Sequence, residues 1–103
     1  RRAARIADGF IFADGAADGM TQIVRLKDLL AEEGRSLGGF GLQCNMLKAK
    51  TPEQVVESAQ RWRDAGGTDA AFATMGQGFE TVQAHLDHIR RVADALAGAG
   101  LLA

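Results

Sequence analysis

The stretch TPEQVVESAQRWRDAGGTDAAFATM, residues 51–75, contains one complete passage from a helix to a strand. Its opening TPEQ, residues 51–54, predicts a helix start, because the Thr and Gln side chains can satisfy free backbone N–H groups while Pro has none to satisfy. Gly66 is the expected helix stop, since glycine accepts the left-handed conformation at no side-chain cost. The apolar run at residues 70–75 then predicts a strand.

The same passage recurs along the chain. Gly34, Gly66 and Gly98 stand at equal spacing, and each follows a helical pattern. Two further apolar runs precede helices, namely FIFA at residues 10–13 and FGLQCNML at residues 40–47. Strand, helix and glycine stop at this period predict a repeat of βα units, whose strands lie parallel because every connection is a helical crossover.

The predicted fold class is therefore α/β, with three consecutive βα units and parallel strands. Apolar residues at helical spacing support each helix. The stripes are Met20, Ile23, Val24, Leu26 and Leu30 in the first helix, Val55, Val56, Ala59 and Trp62 in the second, and Phe79, Val82, Leu86, Ile89, Ala93 and Leu96 in the third.

A chain of 103 residues predicts one domain at most. We divide it into a helix tail at 1–8, βα units at 9–38, 39–68 and 69–98, and a tail at 99–103. The first seven residues have the pattern of a crossover helix that has already begun, so we expect the chain to be the middle and end of a larger protein.

The predicted sheet is incomplete. Three parallel strands with helices on one face would leave the other face and both edges bare, whereas parallel sheets are almost always covered on both faces. We therefore expect further strands, either from a missing N-terminal half of a barrel or from another chain, and we expect the chain to self-associate when it is alone.

The composition argues against several classes of function. Twelve basic and thirteen acidic side chains give a net charge of -1, which offers no electrostatic basis for binding nucleic acid or an anionic membrane. No apolar run approaches the roughly 18 residues that a membrane span needs. Cys44 is the single cysteine, so we expect no disulfide within the chain and a cytoplasmic location.

The second strand carries two amides. Its alternation sends Phe40, Leu42, Cys44 and Met46 to one face, which we expect to pack under the helices. Gln43 and Asn45 lie on the other face, where a buried parallel strand would carry Val or Ile. They are candidates for lining a pocket inside a closed barrel. The alternative is that they satisfy each other or a buried water.

Four phrases occur in a recognisable order: RRAARIADGF at residues 1–10, EEGRS at 32–36, TPEQ at 51–54 and RDAGGTDAAF at 63–72. Together they resemble the C-terminal part of the luciferase-like monooxygenase family. The resemblance runs from Arg1 to about Leu96. The first phrase is most similar to the deazaflavin-dependent (coenzyme F420) members, although FMN-dependent relatives carry similar wording.

This resemblance implies that the chain resembles the C-terminal portion of a (β/α)8 TIM barrel and supplies its last three βα units. Family members hold reduced FMN or coenzyme F420 at the carboxyl ends of the strands, and they transfer a hydride or activate oxygen against a small organic substrate. The glycine turn near the cofactor phosphate and the early strands would lie before Arg1. We therefore expect neither tight cofactor binding nor activity from this chain alone.

In a (β/α)8 enzyme the functional residues sit at the carboxyl ends of the strands and in the loops that follow. The cofactor- or substrate-facing candidates are Asp14, Gly15, Gln43, Asn45, Lys48, Thr74, Gly76, Gln77 and Gly78. The two glycines of the last loop would let backbone N–H groups approach a ligand at the start of the last helix. A plain loop is the alternative there, and a solvated side chain is the alternative for Lys48 and for Lys50.

No metal site is predicted. His85 and His88 lie three residues apart on the last helix, but a metal would need further ligands that the sequence does not offer. We interpret both as surface or stripe-edge histidines. The remaining reactive residues also have structural interpretations: a buried inert thiol for Cys44, a turn position rather than a catalytic base for Asp8, and a solvated face for Arg1, Arg2 and Arg5.

The sequence identifies no catalytic residue, and two hypotheses remain open. In the first, the chain is the C-terminal third of a flavin- or deazaflavin-dependent oxidoreductase, in which the cofactor supplies the reactive chemistry. In the second, it is a non-enzymatic βα-repeat module that folds by association with another chain and binds no cofactor.

Overall fold

Seven elements make up the chain in the computed structural model, which describes residues 1–13 and 19–102. In chain order they are α1 (Arg2–Ile6), β1 (Gly9–Ala13), α2 (Gly19–Glu32), β2 (Gly41–Met46), α3 (Pro52–Asp64), β3 (Asp69–Phe72) and α4 (Val82–Gly98). The alternation of strands and helices is that of consecutive βα units.

The three strands form one parallel sheet in the order β1-β2-β3. Gly9 pairs with Gly41 at the start of the first pair, and Gln43 pairs with Asp69 at the start of the second. The predicted α/β class and the parallel strands are confirmed. Extension of this arrangement to a closed barrel stays a prediction.

Local signals set the helix boundaries. The amide of Gln54 donates to Thr51 Oγ1 at 3.1 Å, and the amide of Thr51 donates to Gln54 Oε1 at 3.2 Å, which completes the predicted capping box at the start of α3. Gly34 and Gly66 adopt φ of 68° and 104° just past α2 and α3, as predicted for glycine stops.

The third glycine stop was predicted at the wrong position. Gly98 is still helical and is the last residue of α4, whereas Gly100 adopts the left-handed conformation at φ 71°. The amide of Leu101 then donates to the carbonyl of Leu96 at 2.9 Å, as in the glycine-terminated ends of the other two helices. Gly98 and Gly100 lie within one helical turn, and the regular spacing of the glycines predicted the wrong one of the two as the helix stop.

The core lies on one face of the sheet, as predicted from the alternation of β2. Leu42 and Met46 are buried there, and Cys44 packs between the two groups of residues that surround them. One group is Ala4, Ile23, Leu26, Leu30, Phe40, Leu42 and Trp62. The other is Met46, Ala49, Val55, Ala59 and Val92. Helices α2, α3 and α4 therefore all cover the same side, and the other side is left open, with Ile11 60% exposed.

Two further predictions are wrong, one in the first unit and one in the third. Val24 of α2 is exposed, because the buried side of that helix is set by Ile23, Leu26 and Leu30. Strand β3 ends at Phe72, so residues 73–75 belong to the loop rather than to the predicted strand.

The predicted apolar stripe of the last helix is wrong at Val82, Leu86 and Ile89, although Leu96 near its end does pack against the core. Val82 is 76% exposed, Leu86 49% and Ile89 42%, whereas the buried residues of α4 are His88 and Val92. Helix α4 packs against α3, and the described part of the chain has no strand beyond β3 for the stripe to cover. We call Val82, Leu86 and Ile89 the α4 stripe.

Side chains from α3 and from the turn after it close the amino edge of the sheet, and Trp62, predicted as part of an apolar stripe, is also a hydrogen-bond donor there. Trp62 Nε1 donates to the carbonyls of Leu42 at 3.2 Å and Asp69 at 2.9 Å. The hydroxyl of Thr68 accepts from the amide of Leu42 at 2.8 Å. Gly67 lies so close to the indole that an added Cβ would overlap it.

Helix α1 is held by a residue far along the chain. The guanidinium of Arg35 donates to the carbonyls of Ala4 at 2.9 Å and Ala7 at 2.7 Å, and it lies 5.4 Å from the centre of the Phe40 ring. Three further basic residues of this region, Arg1, Arg2 and Arg5, are exposed as predicted.

Among the described residues, no helix combines the length and the apolar character that crossing a membrane requires.

Candidate functional site

The candidate site is the carboxyl edge of the sheet, where β1, β2 and β3 end at Ala13, Met46 and Phe72. Parallel strands bring the loops that follow them to this one edge. The loops after β2 and β3 therefore lie on the same side of the molecule. The predicted candidates after β1, Asp14 and Gly15, lie outside the described residues.

Gln43 and Asn45 form a side-chain pair on the open face of β2. Gln43 Nε2 donates to Asn45 Oδ1 at 2.9 Å, and both residues are half-buried. Of the two interpretations from the sequence, the structure thus contains the one in which the amides satisfy each other. The pair still carries one acceptor, the Gln43 carbonyl oxygen, and one donor group, the Asn45 NH2.

The neighbours of this amide pair come from both adjacent strands. Ile11 and Asp69 stand on either side of Gln43, and Ala13 and Ala71 stand on either side of Asn45. Asp69 is exposed and carries a carboxylate. This part of the open face therefore offers hydrogen-bonding groups, apolar surface and one carboxylate beside the pair.

The loop after β2 presents its lysines to solvent. Lys48 and Lys50 are exposed, and the loop is anchored between them by the buried side chain of Ala49. The backbone N–H of Lys50 donates to Gln54 Oε1 at 2.8 Å, which ties the loop to the first turn of α3. Both lysines thus lie at the surface, and Lys48 is at the rim of the carboxyl edge.

The segment at residues 73–81, which we call the β3–α4 loop, carries the other four candidates. Gly76 and Gly78 adopt φ of 71° and 82°, so both positions use the freedom that only glycine has. Gln77 Nε2 donates to the carbonyl of Ala73 at 2.6 Å, which closes the loop on itself. Thr74 is half-buried beside them.

The start of α4 already has a cap. The amide of Ala84 donates to Thr81 Oγ1 at 3.0 Å, so one of the free N–H groups predicted to receive a ligand is satisfied from within the chain.

The prediction for His88 is wrong, because its side chain is only 3% exposed. Its ring lies 4.9 Å from that of Phe79 and 6.3 Å from that of Phe72, centre to centre, and His88 Nε2 is the buried side-chain polar atom without a hydrogen-bond partner among the described residues. His85 is half-buried against Phe79 at 5.3 Å. A signal was available: His85, His88 and Val92 follow one another at helical spacing and form the face that is buried.

Burial shifts the titration of this ring. Desolvation, and then the positive charges of Arg91 and His85, lower the pKa of His88 from its usual 6.5. The ring is therefore neutral at pH 7. Among the described residues no group of three or more His, Cys, Asp or Glu side chains is placed to hold a metal ion.

Two cavities open on the helix-covered side of the sheet rather than on the face of the amide pair. One, of about 210 Å³, lies between α1, α2 and β1 and is lined by Phe10, Phe12 and Leu29 with Arg25 at its rim. The other, of about 370 Å³, lies between α3, β3 and the end of α4. Neither includes a residue that was predicted to face a cofactor.

A flavin or deazaflavin needs an enclosed site with partners for its ring and its phosphate. At the carboxyl edge the described residues supply the amide pair, two loop glycines and an exposed lysine. These residues can line one wall of a pocket, but they cannot enclose a flavin or deazaflavin. The residues present therefore do not fit a complete cofactor site.

Comparison of the chain with protein-family models, with curated proteins and with solved structures yields no significant match. The fold class and the geometry of the carboxyl edge therefore rest on the sequence and structure of this chain alone.

Proposed function

We propose that this chain is the C-terminal segment of a flavin- or deazaflavin-dependent oxidoreductase of the luciferase-like type. In that protein the carboxyl edge described above would form one wall of the pocket for a small organic substrate and the cofactor. The bound cofactor would supply hydride transfer or oxygen activation. The chain alone is proposed to be inactive.

The observation that supports this proposal is the open face of the sheet. A parallel sheet normally has both faces covered, yet here the helices cover one face and the other bears the hydrogen-bonded Gln43 and Asn45. Polar amides facing an interior that further strands would enclose are the arrangement expected of a barrel enzyme whose pocket lies at the carboxyl ends of its strands.

The exposed α4 stripe favours a second candidate. Three large apolar side chains on one helix, next to a strand whose outer edge is unpaired in the described residues, suit contact with another polypeptide. In this alternative the chain is a βα-repeat module that associates with another chain and binds no cofactor.

One experiment separates the two. The reading frame before Arg1 is sequenced, and the complete product is purified and titrated with reduced FMN and with reduced coenzyme F420, with absorbance as the readout. We expect further βα units in the frame and a spectral change that Asn45→Ala weakens several-fold. The control Gln60→Ala, on α3 away from the carboxyl edge, is expected to leave it unchanged. A short product that associates and leaves both spectra unaltered would establish the module instead.

A further inference from the structure

We propose that the β3–α4 loop is a pH-sensitive latch, closed when Phe79 packs on the neutral ring of His88 and released when His88 takes up a proton. The inference is independent of the proposed function, because it concerns a movement that needs no cofactor.

The latch consists of stacked rings from three elements. Phe72 belongs to β3, His88 to α4, and Phe79 to the loop between them. The ring of His88 lies between the two phenylalanines, at 6.3 Å from Phe72 in an edge-on arrangement and at 4.9 Å from Phe79. Phe79 also contacts His85 edge-on at 5.3 Å. The contacts of Phe79 attach the middle of the loop to the helix.

A proton on Nε2 of this ring would have no hydrogen-bond acceptor among the described residues. His88 Nε2 is buried and has no hydrogen-bond partner, so a protonated ring would place an N–H and a positive charge among aromatic carbons. A buried unpaired charge is among the most costly arrangements in a protein, and the structure relieves it by exposing the group to water.

The charged neighbours act in the same direction. Arg91 and His85, both on α4, add positive potential at His88. The strand and the loop contribute phenylalanine rings. Among the described residues, the charges that shift the pKa of His88 are both positive.

The β3–α4 loop is the element that can move when His88 is protonated. Phe72 is fixed by strand pairing and His88 by its helix, whereas Phe79 lies in neither. The hydrogen bond from Gln77 ends on Ala73 inside the same loop and does not hold the loop to the core. Release of Phe79 would therefore move the loop away from α4 and open the carboxyl edge at the positions that carry the site candidates.

The direction with pH follows from linkage. In the closed state burial lowers the pKa of His88 below its usual 6.5, and in the open state, where water reaches the ring, the pKa would return toward that usual value. As the pH falls below 6.5, the open-to-closed ratio rises by up to about tenfold per pH unit, until the closed-state pKa is passed. Above 6.5 the ratio is constant.

The test is 19F NMR of the chain labelled with 4-fluorophenylalanine, recorded from pH 8 to pH 5. The chain has five phenylalanines; Phe79→Leu assigns the loop resonance, and the rings of Phe10, Phe12 and Phe40, far from the cluster, report on global unfolding. We expect the Phe79 resonance to move toward the solvent-exposed position as the pH falls, with the same midpoint as the His88 Hε1 proton in the same sample. His88→Gln is expected to abolish the movement, and His85→Gln to retain it.

Three results would overturn the proposal. The first is a Phe79 resonance that stays fixed while His88 titrates. The second is a midpoint that follows His85 rather than His88. The third is a shift shared by all five rings, which would report unfolding of the whole chain. The comparison of midpoints in the unmodified chain decides the matter even if His88→Gln does not fold.

Discussion

At the scale of single residues, close contacts explain why a particular position carries glycine, which the composition of the chain does not. Gly67 follows the glycine stop of α3 and looks like a flexible linker in the sequence. In the structure its backbone lies against the indole of Trp62, whose N–H is shared between two carbonyls of neighbouring strands. The position needs glycine for space rather than for backbone freedom.

Gly67→Ala should therefore lower the free energy of unfolding by about 1–3 kcal/mol, because the new methyl group would displace the Trp62 ring and its two hydrogen bonds. Gly98→Ala is the matched control. It lies at the end of α4 with open space around it, and alanine there should raise stability by up to about 1 kcal/mol. Urea unfolding followed by the fluorescence of the single tryptophan measures both; equal effects at the two sites would contradict the packing argument.

His88 makes global stability depend on pH. The folded state keeps the ring neutral, since its pKa is lowered from 6.5, so the unfolded state binds more protons once the pH drops below that value. The contribution of His88 to the free energy of unfolding should be constant above pH 6.5, and it should decrease as the pH falls below 6.5. Denaturation at a series of pH values should show this loss in the wild type and in His85→Gln, and a smaller loss in His88→Gln. An identical slope in all three would rule out His88 as its source.

At the scale of elements, local signals were the most readable part of the sequence. The capping box of α3 and the left-handed glycines after α2 and α3 are properties of four to six adjacent residues, and they form as predicted. The buried face of α4 is not a local property, because it depends on which neighbour the helix meets. Its more hydrophobic side was predicted to be buried, yet packing against α3 buries the side with His88 and Val92.

Thr51→Ala should cost about 0.5–2 kcal/mol of stability, since it removes the side chain that accepts from the amide of Gln54. Glu57→Ala on the same helix provides the comparison. Its ion pair with Arg61 is 3.4 Å long and largely exposed, so its loss should cost well under about 1 kcal/mol. Thermal unfolding by circular dichroism ranks the two variants. A larger loss for Glu57→Ala would show that the cap contributes little.

At the scale of the whole molecule, the class of fold was predictable and the candidate site only partly. Glycine stops and apolar runs that repeat at the same spacing are sufficient to predict parallel βα units, because few other arrangements of helices and strands produce both repeats. The pairing of Gln43 with Asn45 remained one of two alternatives, since a side chain's partner is chosen by the space around it. The ring cluster at His88 was missed because Phe79 and Phe72 come from different elements.

The open sheet and the α4 stripe predict self-association. The chain should sediment as a concentration-dependent mixture in the micromolar range, because the described structure leaves large apolar side chains on α4 and β1 in contact with water. Ile89→Lys should shift the mixture toward monomer, whereas Arg90→Lys, its exposed neighbour on the helix, should not. A wild-type chain that stays monomeric at high concentration would contradict this prediction.

The hydrogen bonds from Arg35 to Ala4 and Ala7 have a consequence for how the chain is made. The amide of Gly41 likewise donates to the carbonyl of Asp8, and that of Thr68 to the carbonyl of Leu42, so these bonds join residues that lie about one repeat apart in the chain. During synthesis from the amino terminus, the bonds to the carbonyls of Ala4, Ala7 and Asp8 cannot form until residues 35–41 have left the ribosome, and the bond to Leu42 must wait for Thr68. The earlier segment therefore lacks these contacts until the later one has been made.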